Sequence, residues 1–177
     1  KAGNENSGGD MIRAILHADK NWGIGKNNSL MFSIPKDMKF FRETTLGKTV
    51  VMGGNTLRSF PAGKPPKNRT NIVLSRGQVM DDCLVVSDLE ALKAEMRRRA
   101  ETEDLYVIGG ASVYAALLPY CGEALVTKVE ADGGADTFFP DLDKDENFVC
   151  VDAGEPVEDN GYILRFTRYQ NLAVKPL

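Results

Sequence analysis

The stretch Val107-Ile108-Gly109-Gly110-Ala111-Ser112-Val113-Tyr114 decides how the chain is read. An apolar run passes through two glycines into a helical pattern, in which Val113, Tyr114, Leu117 and Leu118 recur until Pro119 ends it. Glycines at such a junction let a backbone approach a ligand closely, and the first turn of a helix offers unpaired N–H groups to an anion. The spacing is not that of a G-x-G-x-x-G fingerprint. A plain tight turn explains the residues equally well, so position in the fold has to decide.

The same pattern recurs on the N-terminal side. Val50-Val51-Met52-Gly53-Gly54-Asn55-Thr56-Leu57 again enters a short helix through glycines, with Asn55 and Thr56 able to donate to anions. Thr70-Asn71-Ile72-Val73-Leu74-Ser75-Arg76-Gly77 ends a strand in a hydroxyl and a guanidinium, and Arg76 reads either as a phosphate ligand or as an exposed loop arginine. Further strands are expected at 12–18, 84–86, 105–108, 124–130, 148–151 and 162–169. The clearest helix is expected over 88–100, capped by Ser87 with Glu90 completing a capping box, and with Leu89, Leu92 and Met96 on one face. Strands alternating with helices predict an α/β fold: a single domain with a central, mostly parallel, eight-stranded sheet, an antiparallel C-terminal strand, and helices on both faces. Ligands of such sheets bind beyond the carboxyl ends of the strands.

One carboxylate stands out in Leu30-Met31-Phe32-Ser33-Ile34-Pro35-Lys36-Asp37-Met38-Lys39-Phe40-Phe41-Arg42. Pro35 suits the first position of a helix, which is expected to run to about Thr45 and puts Asp37 in its first turn. Asp37 then lies in line with Phe41 and near Ile34 and Met38, on an apolar stripe. The helix dipole alone favours an acidic residue there by about 0.3–1 kcal/mol, so its position alone does not require a function. The preceding loop carries Trp22, Ile24, Leu30, Met31 and Phe32 among glycines, as a lid over a pocket would, or as a loop folded onto the core would.

Bulk properties narrow the classes. The 177 residues suit one domain, and 42% apolar with 27% charged residues is ordinary for a globular protein. A formal charge of −3 gives no electrostatic case for nucleic-acid binding, and the basic run Arg97-Arg98-Arg99 reads as a solvated helix end. No apolar run approaches the length of a membrane span, and residues 1–10 read as a flexible leader or expression remnant without a signal peptide's hydrophobic segment, so a cytoplasmic location is expected. Cys83, Cys121 and Cys150 are odd in number and widely spaced, which argues against disulfides and paired-cysteine metal sites and predicts buried thiols. His17, the single histidine, sits in an apolar strand and reads as a packed residue.

With these pieces in order, residues 11–171 resemble the dihydrofolate reductases. The marks are Gly23-Ile24-Gly25 in the lid, Ile34-Pro35-Lys36-Asp37 with Phe40-Phe41, Val51-Met52-Gly53 with Thr56, and Arg69 before Asn71-Ile72-Val73-Leu74-Ser75-Arg76. They continue with Val107-Ile108-Gly109-Gly110, Thr127, and Asp136-Thr137-Phe138-Phe139-Pro140.

The resemblance implies transfer of a hydride from NADPH to C6 of 7,8-dihydrofolate, with a proton added at N5, in a monomer whose partner is the small-molecule substrate. It implies that Asp37, Thr127 and Leu30 act at the reacting ring, with Thr127 bonded to Asp37. It further implies that Met38, Phe41, Ile108 and Phe32 line the pterin, and that Arg69 pairs with the carboxylate of the glutamate tail. The implied cofactor contacts are Ala18, Ile24, Gly25, Gly54, Asn55, Thr56, Leu74, Ser75, Arg76, Ile108, Gly109, Gly110, Ala111, Ser112, Val113 and Tyr114, with a cis peptide at Gly109-Gly110. No metal is implied. Two departures stand out: Met31-Phe32 replaces the usual Pro-Trp, losing an indole donor, and Gly54 stands where the family commonly has Arg or Lys for the 2′-phosphate. A pyrimidine reductase of riboflavin synthesis shares the fold, and a non-catalytic pteridine-binding module is the other alternative. The joint presence of Asp37 and Arg69 favours folate.

Overall fold

The computed structural model describes residues 12–77 and 82–177, so the expected leader at 1–10 lies outside the described residues. The chain runs β1 (Ile12–Ala18), β2 (Gly23–Gly25), α1 (Pro35–Thr45), β3 (Thr49–Gly53), α2 (Gly54–Ser59), β4 (Thr70–Leu74), β5 (Leu84–Val86), α3 (Leu89–Arg99), β6 (Leu105–Gly109) and α4 (Ala111–Leu117). It continues through β7 (Glu123–Val129), β8 (Thr137–Phe138), β9 (Phe148–Asp152), β10 (Val157–Asp159) and β11 (Tyr162–Asn171).

The strands order as β10-β11-β7-β1-β6-β3-β4-β5, with β9 also on β11. From β7 to β5 every pairing is parallel, while β11 runs antiparallel to β7, β9 and β10. All eight expected strands form, and β10, unread in the sequence, joins them as a ninth. Its three residues are too few to show a period. The loops around 23–25 and 137–138 also pair, as a separate two-stranded ribbon of β2 and β8.

The strand pleat sends alternate side chains to opposite faces. Ile12 and Ala14 join Leu92 and Met96 of α3 and Leu117 of α4 on one face, whereas Ile15, Val50, Met52 and Val73 meet Leu57 of α2 and the phenyl rings Phe40 and Phe41 of α1 on the other. Fully burying each of the larger aliphatic side chains among these contributes roughly 1.5–3 kcal/mol.

Two helix starts differ from expectation in an instructive way. The cap of α3 is Asp88, whose side chain accepts from Ala91 N at 2.8 Å, not Ser87 one residue earlier; the carboxylate is the stronger acceptor. At α1 the N-cap is apolar Ile34 with no side-chain cap bond, and the free N–H of Lys36 is instead taken by Asp159 Oδ2 of β10 at 2.8 Å. The three cysteines are free, as expected. Cys121 is buried and its thiol is pushed up to about 12 by that burial, but Cys150 is exposed, because β9 lies at the sheet margin.

Candidate active site

Parallel strands all end on the same side, so β1, β3, β4, β6 and β7 bring the glycine junctions and Thr127 to one edge of the sheet. Met52 pairs with Gly109, Gly53 with Leu74, and His17 with Thr127. The Gly109-Gly110 peptide is cis, as the resemblance implied. Gly109 has φ +126°, and a Cβ there would meet Thr56 Oγ1 at 3.3 Å and the Tyr114 ring at 3.4 Å, so only glycine leaves this backbone open.

Around this junction the expected cofactor residues divide by where they point. Thr56 sits against Gly109 and Gly110, and Ser75 Oγ lies 3.3 Å from the position a Cβ on Gly54 would take. At that same position, also at 3.3 Å, lies Nη1 of Arg58, whose guanidinium is bonded to Asn55 Oδ1. The missing basic side chain at Gly54 is thus replaced in space by one from the next turn of α2, a residue the sequence reading overlooked although its spacing of four from Gly54 was visible. Arg76 is exposed in the loop after β4.

The start of α4 has no side-chain cap, and its candidates have different roles. Ala111 is half-buried and Ser112 exposed, but Val113 and Tyr114 turn into the sheet. Tyr114 is anchored in the interior: its N–H donates to Gly110 O at 2.9 Å and its hydroxyl to Ile15 O at 2.7 Å, while its ring lies against the Gly109 junction. Burial, above all, pushes that phenol up. Ala18 likewise packs into the core, and Leu74 packs beside it at the end of β4.

Asp37 comes to the same edge from α1, with its side chain 15% exposed. Its partner is a surprise from the sequence. His17 Nδ1 lies 3.1 Å from Asp37 Oδ2, and among the described residues this is the side chain bonded to the carboxylate, not Thr127. The two candidates are register partners on adjacent strands and face the same way, and the imidazole has the longer reach. Thr127 is buried beside it. His17 is therefore a site residue that the sequence reading set aside, although alternation already put it on the Ile15 side of β1, toward α1.

The apolar candidates are partly assembled. Phe41 and Ile108 are half-buried in the cluster under α1, while Met38 is exposed beside Asp37 on the helix. Phe32 is buried, edge-on to Tyr162 at 5.0 Å and 5.6 Å from the His17 ring. Leu30, like Met38, is exposed, at 66%. Arg69 stands at the far end of α1, about 12 Å from Asp37 by helix rise. Its guanidinium donates to Thr45 Oγ1 at 2.9 Å, to Arg42 O at 2.8 Å and to Lys67 O, leaving two of five N–H donors without a partner among the described residues. Burial, then the nearby Arg42 charge, lowers its pKa, so an anionic ligand would be welcome there.

The lid is tied to the loop at 131–139 rather than loose. Asp19, buried, accepts from the N–H groups of Asn21, Gly23 and Gly133 at 2.8–2.9 Å, and a Cβ on Gly23 would run into Ala135. Gly25 and Ile24 lie in the β2 ribbon, where Asp136 N donates to Gly25 O at 3.0 Å. Trp22 does not cover the pocket. It is stacked on Phe139 and edge-on to Tyr169 in the core, under the Lys128 ammonium at 4.9 Å.

A separate hollow of about 390 Å³ lies at the opposite ends of the strands, lined by Lys48, Thr49, Arg99, Glu103 and Asp104 among others. Its charges are already paired, Lys48 with Asp104 and Arg99 with Glu103. Among the described residues no group of side chains could hold a metal ion, and no helix is long and apolar enough to cross a membrane.

Comparison with known proteins bears on this arrangement as a whole. The family model of dihydrofolate reductase matches residues 11–171. The dihydrofolate reductase of Bacillus subtilis is 34% identical over 163 residues, covering 90% of this chain and 94% of that one. That of Neisseria meningitidis serogroup B is 36% identical over 134 residues, covering 75% and 81%. Among solved structures, dihydrofolate reductase from Enterococcus faecalis complexed with NADP(H) and RAB-propyl superposes with a TM-score of 0.79 at 32% identity, covering 91% of this chain and 96% of that one. A match across nearly the whole chain, in sequence and in fold, makes this protein a member of the dihydrofolate reductase family.

Proposed function

We propose that the chain reduces 7,8-dihydrofolate to tetrahydrofolate with NADPH, adding hydride at C6 and a proton at N5. The observation that carries this reading is the Asp37 carboxylate, largely buried and bonded to His17 near the carboxyl end of β1, on the sheet edge where Gly109 ends β6. NADPH, when bound, supplies the hydride. The cradle at Gly54 and Gly109, which Cβ atoms would fill, and the uncapped start of α4 fit a nucleotide cofactor, with Thr56, Ser75, Arg58 and Arg76 as its polar and cationic holders.

Asp37 accepts two side-by-side N–H groups from the 2-amino group and ring N3 of the pterin, a charge-assisted pair that orients and polarises the ring. Phe32, Phe41, Met38 and Ile108 give the ring apolar walls and exclude bulk water. N5 lies on the other side of the pterin from Asp37, so water under the lid delivers the proton. Arg69, with those two donors a helix length away, suits the glutamate carboxylate. A pyrimidine reductase would need neither Asp37 nor Arg69 in these places. The same reading makes the protein a cytoplasmic monomer that acts on small molecules and not on nucleic acid.

The test is the fall of the nicotinamide absorbance with purified protein, dihydrofolate, and NADPH or NADH in turn. Turnover with NADPH is expected, and none with either cofactor would sink the reading.

A further inference from the structure

The transfer proposed above makes no use of His17, yet the fold places it at the centre of the site. Its side chain is 4% exposed, its Nδ1 faces Asp37 Oδ2 at 3.1 Å, and its Nε2 is buried with no partner among the described residues. Leaving a polar atom unpaired in the interior is costly, whereas an apolar side chain such as that of Ile15, on the same face of β1, would avoid the cost. The contact at the other nitrogen must offset it.

An ionised carboxylate can only accept hydrogen bonds, so Nδ1 carries a proton and donates it, which leaves Nε2 as the ring nitrogen without a partner among the described residues. Phe32, 5.6 Å away and tilted by 54°, and Thr127, the register partner, close in the imidazole, so the ring fixes the carboxylate rather than following it. Among the described residues, the other ionic side chains of this sheet face are paired elsewhere: Arg168, which opposes Leu125 on β7, donates to Glu123 at 2.9 Å. Arg13 and Glu123 lie four residues back along their strands, about 13 Å by strand rise, and are bonded to each other at 3.2 Å.

We propose that His17 is the positioning residue of the pterin anchor, an inference that rests on the dihydrofolate reading of the site. Its Nδ1–H occupies one lone pair of Oδ2 and holds Asp37 in a single rotamer. Oδ1 and the second lone pair of Oδ2 are left facing the ligand, matched to an aminopyrimidine that presents two donors side by side.

Because His17 is the only histidine, ring nitrogen NMR on untagged, full-length protein reads it without assignment. The expected spectrum shows a proton on Nδ1, and Asp37→Leu is expected to abolish that preference. Kinetics supply the second readout. His17→Leu should raise KM for dihydrofolate about tenfold, the low end for a charge-assisted hydrogen bond, with NADPH affinity unchanged. His17→Asn, whose amide nitrogen takes the place of Nδ1, should restore KM to within about threefold. A bare Nδ1 in a wild-type protein that turns over would overturn the assignment, as would an Asn variant no better than Leu. If the Leu variant fails to fold, the spectrum still decides, as does the Asn variant's KM measured against wild type. Wild type that consumes no NADPH with dihydrofolate removes the activity reading instead, and with it the ligand half of this assignment.

Discussion

Asn27 donates its backbone N–H to Asp136 Oδ2 at 2.9 Å, across 109 residues of chain. That bond and the β2–β8 ribbon tie the lid to the loop at 131–139. Asp136→Ala should therefore loosen the lid, cut the hydride-transfer rate about fivefold, as loss of one hydrogen bond predicts, and speed hydrogen exchange at the Asn27 amide. Unchanged exchange would show that the ribbon holds the lid alone. The Asn27 N–H, and after it the Thr137 hydroxyl, hold the Asp136 carboxyl below its ordinary value. A depressed folded value means that the tether contributes fully above the ordinary carboxylate range, about pH 4, and is lost as pH falls through the lower folded value. Asn27 protection should follow that course.

Asp37→Asn keeps the size of the side chain but removes the charge and one acceptor. Single-turnover hydride transfer should slow roughly a hundredfold, the upper range for a charge-assisted contact, while the Kd for NADPH stays unchanged. If cofactor affinity fell equally, Asp37 would be holding the fold rather than the pterin.

Arg69→Leu separates the tail from the ring. Binding of folate should weaken by about tenfold or more, whereas pteroate, which lacks the glutamate, should bind as before. Equal affinities for folate before and after the change would remove the assigned role. Because the guanidinium also bonds Thr45 and Arg42, thermal unfolding of the variant should be recorded beside it.

Arg58→Leu tests whether the guanidinium over Gly54 serves the cofactor phosphate. KM for NADPH should rise about fivefold to tenfold, with KM for NADH nearly constant. An equal rise for both cofactors would point to a role in α2 itself, through its bond to Asn55.

Much of this protein is local in origin, and that part is legible. The apolar runs at β1, β3, β4 and β6, the glycines that end β3 and β6, and Pro35 at the start of α1 each report a short-range requirement: a period, a freedom of φ, a missing N–H. Those requirements determined the parallel sheet, the edge on which the site forms, and the place of Asp37 in the first turn of a helix. The cis junction and the Arg69 position followed from family resemblance across the same segments.

What surrounds Asp37 is decided by register and reach, which no local pattern encodes. The resemblance pointed to Thr127 and the sequence left His17 as a packed residue, and only the pairing of β1 with β7 and the distance to α1 let the longer side chain take the carboxylate. The same holds for Trp22, drawn from the lid into the core by Phe139 and Tyr169, for Arg58, which fills the space Gly54 leaves, and for Asp159, which caps a helix 123 residues away. Sequence by itself determined which elements form and where their ends lie, because backbone preference acts between neighbours. Tertiary structure alone decided which side chains meet at those ends, because contacts between distant elements depend on strand register and side-chain length together.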